Sequence, residues 1–337
     1  MASVVMALLL AAVSTVVVWF GGTKLESSSQ RLAAYYGLPA VVEGAVITAV
    51  GSSFPELSST VLATFLHGEF DLGVGAIVGS AIFNILVIPG LSVLIGGRME
   101  TDRDIVFKEA LFYMLSVAVI LVVFSLAVIY RPVGDGDLIG EITRPLALVP
   151  VALYLLYLWL QFADFQDHEQ PEVPAGISPL KEWLWLAVSL VLIVVSVEGL
   201  VRAALDLGEA LGTPSYIWGL TIIAAATSLP DAVVSIQAAR SQRAVTSMAN
   251  VLGSNVFDLL IAVPAGVLVA GTAGVNFTAA VPMVAALTLA TILLFAFLRT
   301  RMALEPWEGW VLLVAYGLFI GYVAEVGGLV DLVDFVP

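Results

Sequence analysis

This sequence predicts an all-α polytopic membrane protein: ten transmembrane helices forming two inverted five-helix repeats, with helices broken at the midplane. Three observations carry the prediction. The residues are 60% hydrophobic and 12% charged, with a mean hydropathy of +1.04, whereas a soluble domain carries about a quarter charged residues. Apolar runs of spanning length recur ten times along the 337 residues. A set of residues in the first half returns in the second at almost constant spacing.

The ten runs lie at about 2–20, 37–65, 72–96, 105–130, 143–163, 181–204, 213–239, 246–271, 277–298 and 306–328. The first lacks a basic n-region and is long for a signal peptide, so it reads as a retained helix. The stretch 164–180 is polar and contains prolines, which makes it the linker between halves 1–163 and 181–337. Lys24, Arg31, Arg98, Arg103, Lys108, Lys181, Arg240, Arg243, Arg299 and Arg301 fall in connections on one side of this layout. Only Arg131, Arg144 and Arg202 fall on the other. Basic residues collect in the cytoplasm, so both termini are expected outside and the linker inside, with the cell membrane as the location.

Composition excludes several functions. The chain has no cysteine, hence no disulfide and no thiolate metal site. Its two histidines, His67 and His168, lie near predicted loops and do not suggest a zinc centre. A net charge of −14 argues against nucleic acid. It fits a high-salt habitat and cation attraction equally well. The acidic linker residues Asp164, Asp167, Glu169 and Glu172 have no EF-hand spacing and read as a solvated loop. Trp183, Trp185, Trp307 and Trp310 fit an interfacial belt. No obligate protein partner is indicated; the surroundings are the lipid bilayer.

The chemistry lies in the repeats. Pro39, Gly44, Ile47, Ala49, Ser53 and Pro55 return 175 residues later as Pro214, Gly219, Ile222, Ala224, Ser228 and Pro230. Gly79-Ser-Ala-Ile-Phe-Asn84 returns after 174 as Gly253-Ser-Asn-Val-Phe-Asp258. Five helices per half is an odd number, so the second copy inserts upside down, as in many secondary transporters. Each first motif places a proline and a carboxylate, Glu56 or Asp231, in an apolar run. A carboxylate at membrane depth costs several kcal/mol unless compensated, and no Lys or Arg lies in the adjacent apolar segments. The proline frees a carbonyl and suggests a helix broken at the motif. The second motif is expected to open the next helix and puts a serine and Asn84 or Asp258 on one face, at i and i+4. Glu56, Asp231, Asp258, Asn84, Ser53, Ser80, Ser228 and Ser254 would then form an all-oxygen site suited to Ca²⁺ and Na⁺. Other readings stand beside this one. Serines back-bond to carbonyls or allow close packing, Asn84 suits an interhelical hydrogen bond, and Asp258 suits a helix N-terminus. Glu43 and Glu198 have open roles.

These motif pairs resemble the alpha repeats of the cation/calcium exchanger superfamily, the sodium/calcium exchangers and their relatives. The direct match covers about 37–95 and 212–270. The resemblance implies Ca²⁺ binding by Glu56 and Asp231 and by the carbonyls of Ser52 and Thr227. It implies Na⁺ sites built from Ser53, Ser80, Ser228, Ser254, Asn84, Asp258 and the carbonyls of Ala49 and Ala224. Ser52, Ala81 and Asp231 depart from the commonest pattern, which has threonine, asparagine and glutamate. Locally the second motifs are more similar to the potassium-dependent sodium/calcium exchangers, in which the aspartate at position 258 is tied to K⁺.

The implied function is Na⁺/Ca²⁺ antiport by alternating access, with K⁺ as an optional co-substrate and no cofactor. Uncompensated carboxylates repel one another and resist dehydration. Ca²⁺ or several Na⁺ would neutralise them, and competition for the same oxygens would couple the ions. Protons would compete too, so a Ca²⁺/H⁺ antiporter of the same fold is the alternative. An intramembrane aspartyl protease would need two aspartates and a Gly-x-Gly-Asp motif within an apolar run; Glu56 is a poor match to an aspartate dyad, and the sequence Gly134-Asp-Gly-Asp137 falls between the apolar runs. A cation channel would need a filter sequence, and none is visible.

Overall fold

The computed structural model describes residues 2–37, 49–133, 138–164 and 177–327. Among them, eight helices are long and apolar enough to cross a membrane, and a ninth crossing results if the bent pair Ser215–Thr227 and Leu229–Arg240 counts as one. The expected second span falls partly on 38–48, outside the described residues, as do Pro39, Glu43, Gly44 and Ile47. Its described part is α2 (Ala49–Ser52) followed by α3 (Phe54–His67). Linker residues Asp167, His168, Glu169 and Glu172 also lie outside the described residues.

α1 (Ala2–Tyr35) and α7 (Pro179–Leu211) are far longer than the expected 2–20 and 181–204. At about 1.5 Å per residue each reaches roughly 50 Å, well beyond a hydrocarbon core of about 30 Å. They pack antiparallel. Gly199 lies against Ser14, Gly21 against Ile193, and Arg31 Nη1 meets Glu182 Oε1 at 3.2 Å. Lys24 and Arg31 therefore belong to the last third of a helix, not to a loop.

The centre is formed by α4 (Phe70–Gly96) and by α11 (Ala244–Phe257), which continues through the π-helical turn Asp258–Ala262 into α12 (Val263–Ala270). The most apolar windows of these two spans are 78% buried, against 22–39% in the other long spans, which turn apolar side chains outward to lipid. Gly79 permits a very close approach: a Cβ there would lie 2.3 Å from the carbonyl oxygen of Leu220. α5 (Ala110–Tyr130), preceded by the π-helical turn Ile105–Glu109, packs outside with α6 (Arg144–Asp164), α13 (Phe277–Arg299) and α14 (Pro306–Val326).

Two short antiparallel ribbons join the halves. β1 (Met99–Glu100), between α4 and α5, pairs with β4 (Ala303–Leu304), between α13 and α14. β2 (Ile139–Thr143), between α5 and α6, pairs with β3 (Thr272–Asn276), between α12 and α13, in register Ile139↔Asn276 to Thr143↔Thr272. The apolar interior divides into two clusters. One joins α4, α5, α6, α11, α12, α13 and α14. The other lies along α1 and α7 and includes Ala63, Leu72, Ala76, Trp218 and Ile223.

Candidate functional site

The site grows from two interrupted helices. α2 ends at Ser52, and Ser53 (φ −92°, ψ 10°) separates it from α3, which carries Pro55 and Glu56 in its first turn. In the second half, α8 (Ser215–Trp218) runs through the π-helical turn Gly219–Ile223 into α9 (Ala224–Thr227). Ser228 separates α9 from α10 (Leu229–Arg240), with Pro230 and Asp231 in its first turn and a bend of 47° between the flanking segments. Proline has no N–H, so the carbonyls of Gly51 and Ala226 lose the donor a regular helix would supply. Each carboxylate sits at a helix N-terminus, where amide dipoles favour negative charge.

Ser80 and Asn84 come from the middle of α4, and Ser254 and Asp258 from the middle of the α11–α12 span. The second motif therefore does not open a helix. About ten residues of helix precede it in each half, because nothing upstream breaks the hydrogen-bond ladder. Asp258 accordingly does not begin a span. It begins the π-helical turn, a local widening common at functional positions. Asn84, its repeat mate, lies in regular α-helix.

The two halves meet here. The Ser80 hydroxyl lies 2.7 Å from that of Ser228 and donates to Glu56 Oε1 at 3.4 Å. Ser52 and Ser254 hydroxyls are 3.3 Å apart. Asn84 Nδ2 donates to Asp231 Oδ2 at 3.4 Å and to Asn255 Oδ1 at 3.0 Å. Ser52, Ser53, Glu56, Ser80, Asn84, Thr227, Ser228, Asp231, Ser254 and Asp258 are all at most 2% exposed. Thr227 faces Glu56, while its hydroxyl donates to Ile223 O at 3.1 Å. The Ala224 carbonyl already accepts from the Ser228 N–H at 3.1 Å and the Thr227 hydroxyl at 3.4 Å. Ala49 lies in α2, one turn before Ser53.

Six polar atoms of this set are buried without a hydrogen-bond partner: Glu56 Oε2, Asp231 Oδ1, both Asp258 carboxylate oxygens, Ser53 Oγ and Asn84 Oδ1. Ser53 faces Asp258 but makes no hydrogen bond to it. The three carboxylates are close enough to repel one another when ionised. The ion pairs Arg31–Glu182, Arg202–Glu198 and Arg98–Glu305 do not include them. Among the described residues, no three Asp, Glu or His side chains close into a metal cluster on their own. Any cation here is held by carboxylates interleaved with hydroxyls, amides and carbonyls, a donor set for hard ions.

Sequence reasoning missed two asparagines. Asn255 donates to the Ala81 carbonyl at 3.1 Å while accepting from Asn84, and is fully buried. It sits inside the repeated motif, where its mate is Ala81, so the break in symmetry was the available signal. Asn250 donates to Ser235 Oγ at 3.0 Å and faces Asp231. Glu198 stands apart from the site: its carboxylate meets His67 Nε2 at 3.1 Å and Arg202 Nε at 2.7 Å.

The sodium/calcium exchanger protein family matches residues 6–163 and 181–324. Inner membrane protein YrbG of Escherichia coli (strain K12) is 28% identical over 91% of this chain and 93% of its own length. Sodium/calcium exchanger MaX1 of Methanosarcina acetivorans is 24% identical over 89% and 93%. Sodium/potassium/calcium exchanger 4 of Mus musculus is 40% identical over 119 residues, 35% of this chain and 17% of that protein. Among solved structures, the sodium-calcium exchanger NCX_Mj superposes with a TM-score of 0.63 at 24% identity, covering 94% of this chain and 98% of that one. The H⁺/Ca²⁺ exchanger CAX superposes with a TM-score of 0.73 at 18% identity, covering 97% and 86%. Both structures speak to the fold alone. With the family matched over both halves, this chain belongs to the sodium/calcium exchanger protein family of the cation/calcium exchanger superfamily, as a membrane antiporter and not an enzyme.

Proposed function

We propose that this chain exchanges Na⁺ for Ca²⁺ by alternating access at the site around Glu56 and Asp231. One observation carries the reading: buried carboxylate oxygens from both halves stand without hydrogen-bond partners, beside hydroxyls and amides and without a basic side chain. Empty, such a site is costly to seal from water. Filled by Ca²⁺ or by several Na⁺, it is neutralised, and the two ions compete for one set of oxygens. Glu56 and Asp231 are the Ca²⁺ carboxylates, with carbonyls of Ser52 and Thr227. Ser53, Ser80, Ser228, Ser254, Asn84, Asp258 and the Ala49 and Ala224 carbonyls serve Na⁺.

The inverted repeat is supported by the ribbons. The link after α4 in the first half pairs with the link before α14 in the second, and the link before α6 pairs with the link after α12. Copies inserted the same way up would bring like-numbered links to the same face. Inversion accounts for third links meeting fourth links. A ten-span layout with termini outside and the linker in the cytoplasm of the cell membrane follows from this reading and from the bias of basic residues.

The test is ⁴⁵Ca²⁺ uptake into proteoliposomes loaded with Na⁺, with Glu56→Gln as control. Uptake that requires internal Na⁺ and is lost in the variant supports the proposal; no uptake under any gradient sinks it. Ca²⁺/H⁺ antiport is the second reading, because protons compete with cations for the same buried carboxylates. Uptake driven by a proton gradient without Na⁺ would replace the first reading with this one. K⁺ co-transport is motivated by the similarity to the mouse exchanger segment. It predicts that K⁺ on the Ca²⁺ side accelerates uptake and that Asp258→Asn removes the acceleration.

A further inference from the structure

α1 contributes nothing to the site described above, yet it carries a polar stretch, Glu26 to Gln30, inside an unbroken helix. Glu26 is 6% exposed, and Ser28 and Ser29 are also buried. Gln30 Nε2 donates to Glu26 Oε1 at 3.1 Å. Glu26, Ser29 and Gln30 share one face, at i, i+3 and i+4. That face meets the broken helix: a Cβ on Gly51 would lie 3.7 Å from Glu26 Cα and 3.9 Å from Ser29 Oγ. One turn earlier, Gly22 is so close to α10 that a Cβ on it would lie 2.7 Å from the Pro230 ring. Glu26 is thus held beside the start of α10, where Asp231 Oδ1 is buried and unpartnered, and the two carboxylates feel each other's charge.

The nearest bases on α1 are engaged elsewhere. Lys24 Nζ sits 5.5 Å from the centre of the Trp185 ring, and Arg31 pairs with Glu182. Two neighbouring buried carboxylates without a base call for a mobile cation. Direction follows from the packing of α1 on α7. The end of α1 beyond Glu26 lies beside the start of α7, where Arg31 meets Glu182 and Trp183 Nε1 donates to Tyr36 Oη at 3.1 Å. Glu26 therefore lies between the face at which α7 begins and the level of Asp231.

We propose that Glu26, with Ser29 and Gln30, forms an outer Ca²⁺ subsite that passes the ion between the α7-start face and Asp231. Its role is to dehydrate and aim the ion one step before the central carboxylates. The proposal rests on the exchange reading above and adds sidedness to it.

The test uses the full chain in membrane vesicles of both orientations. The chain has no cysteine, so Ser178→Cys with a membrane-impermeant maleimide marks the face on which α7 begins. Half-saturating Ca²⁺ is measured from each face in wild type, Glu26→Gln and Glu26→Asp. For Glu26→Gln the expected result is a rise of about tenfold from the marked face, the loss of one charge-assisted contact worth about 1.4 kcal/mol. From the opposite face the value stays within about twofold, as does the maximal rate, which also reports that the variant folds. Glu26→Asp keeps the charge but shortens its reach, and gives a smaller rise on the same face. Should Glu26→Gln not accumulate in the membrane, Glu26→Asp alone must show the one-sided rise. Equal changes from both faces, or none, overturn the subsite while leaving exchange standing. A wild-type chain that moves no Ca²⁺ overturns both, and Glu56→Gln identifies that case because it then matches wild type.

Discussion

Glu56 and Asp231 hold the strongest expectation at the level of single side chains. Replacing either by its amide removes one charge from a donor set that is already short of partners. Ca²⁺ flux at subsaturating Ca²⁺ should fall by about 100-fold or more, roughly 2.7 kcal/mol, in the proteoliposome assay, with protein yield little changed. Asn255→Ala should act on structure as well as flux, because Asn84 Nδ2 and the Ala81 carbonyl would each lose a buried partner. Thermal unfolding in detergent should show a loss of about 2 kcal/mol. Acidic and hydroxyl members of the site were legible in the sequence, since a carboxylate in an apolar run announces itself and the repeat names its mate. Asn255 was not, because an amide inside a small-residue motif also reads as helix packing. Glu26 is illegible for another reason: the first apolar run ends near residue 20, and only the fold shows helix continuing through a buried polar face.

Among elements, the paired glycines of the second motif separate what repeats from what does not. A Cβ on Gly79 would lie 2.3 Å from the Leu220 carbonyl and 2.7 Å from Ala224 Cβ, whereas one on Gly253 meets nothing within 4 Å. Gly79→Ala should destabilise by about 1–3 kcal/mol through overpacking. Gly253→Ala should be close to neutral, a contrast that a melting curve for each variant resolves. The same asymmetry is seen in the π-helical turn at Asp258, which α4 lacks. Sequence similarity between halves located both elements, but not their local geometry, because extra helical residues and backbone approach depend on what packs alongside. The ends of α1 and α7 differ from the apolar runs because hydropathy marks the apolar stretch alone, while mutual packing extends both helices beyond it. Their polar last and first turns are held by Arg31–Glu182 and Trp183–Tyr36.

Taken whole, the molecule does not divide as its sequence does. The smaller apolar cluster centres on α1 and α7, one helix from each half, with a few residues of α3, α4, α8 and α9 at its edge, while the larger block is drawn from both halves. Motion during exchange is accordingly expected between that pair and the block, not between first half and second. A disulfide engineered across α1 and α7 at the Gly21–Ile193 contact should leave transport largely intact. A cross-link from α1 to α10 at Gly22–Pro230 should stop it, with reductant restoring ⁴⁵Ca²⁺ uptake. The ribbons carry a related consequence. Each is a seam stitched from one thread of either copy, so severing the polypeptide within 164–180 frees neither piece from the other. Separately tagged fragments 1–163 and 181–337, expressed together, should purify as one particle. The two halves are thus tied by backbone pairing at both ribbons, so continuity of the chain matters less to the assembly than the neighbours each half finds in the other.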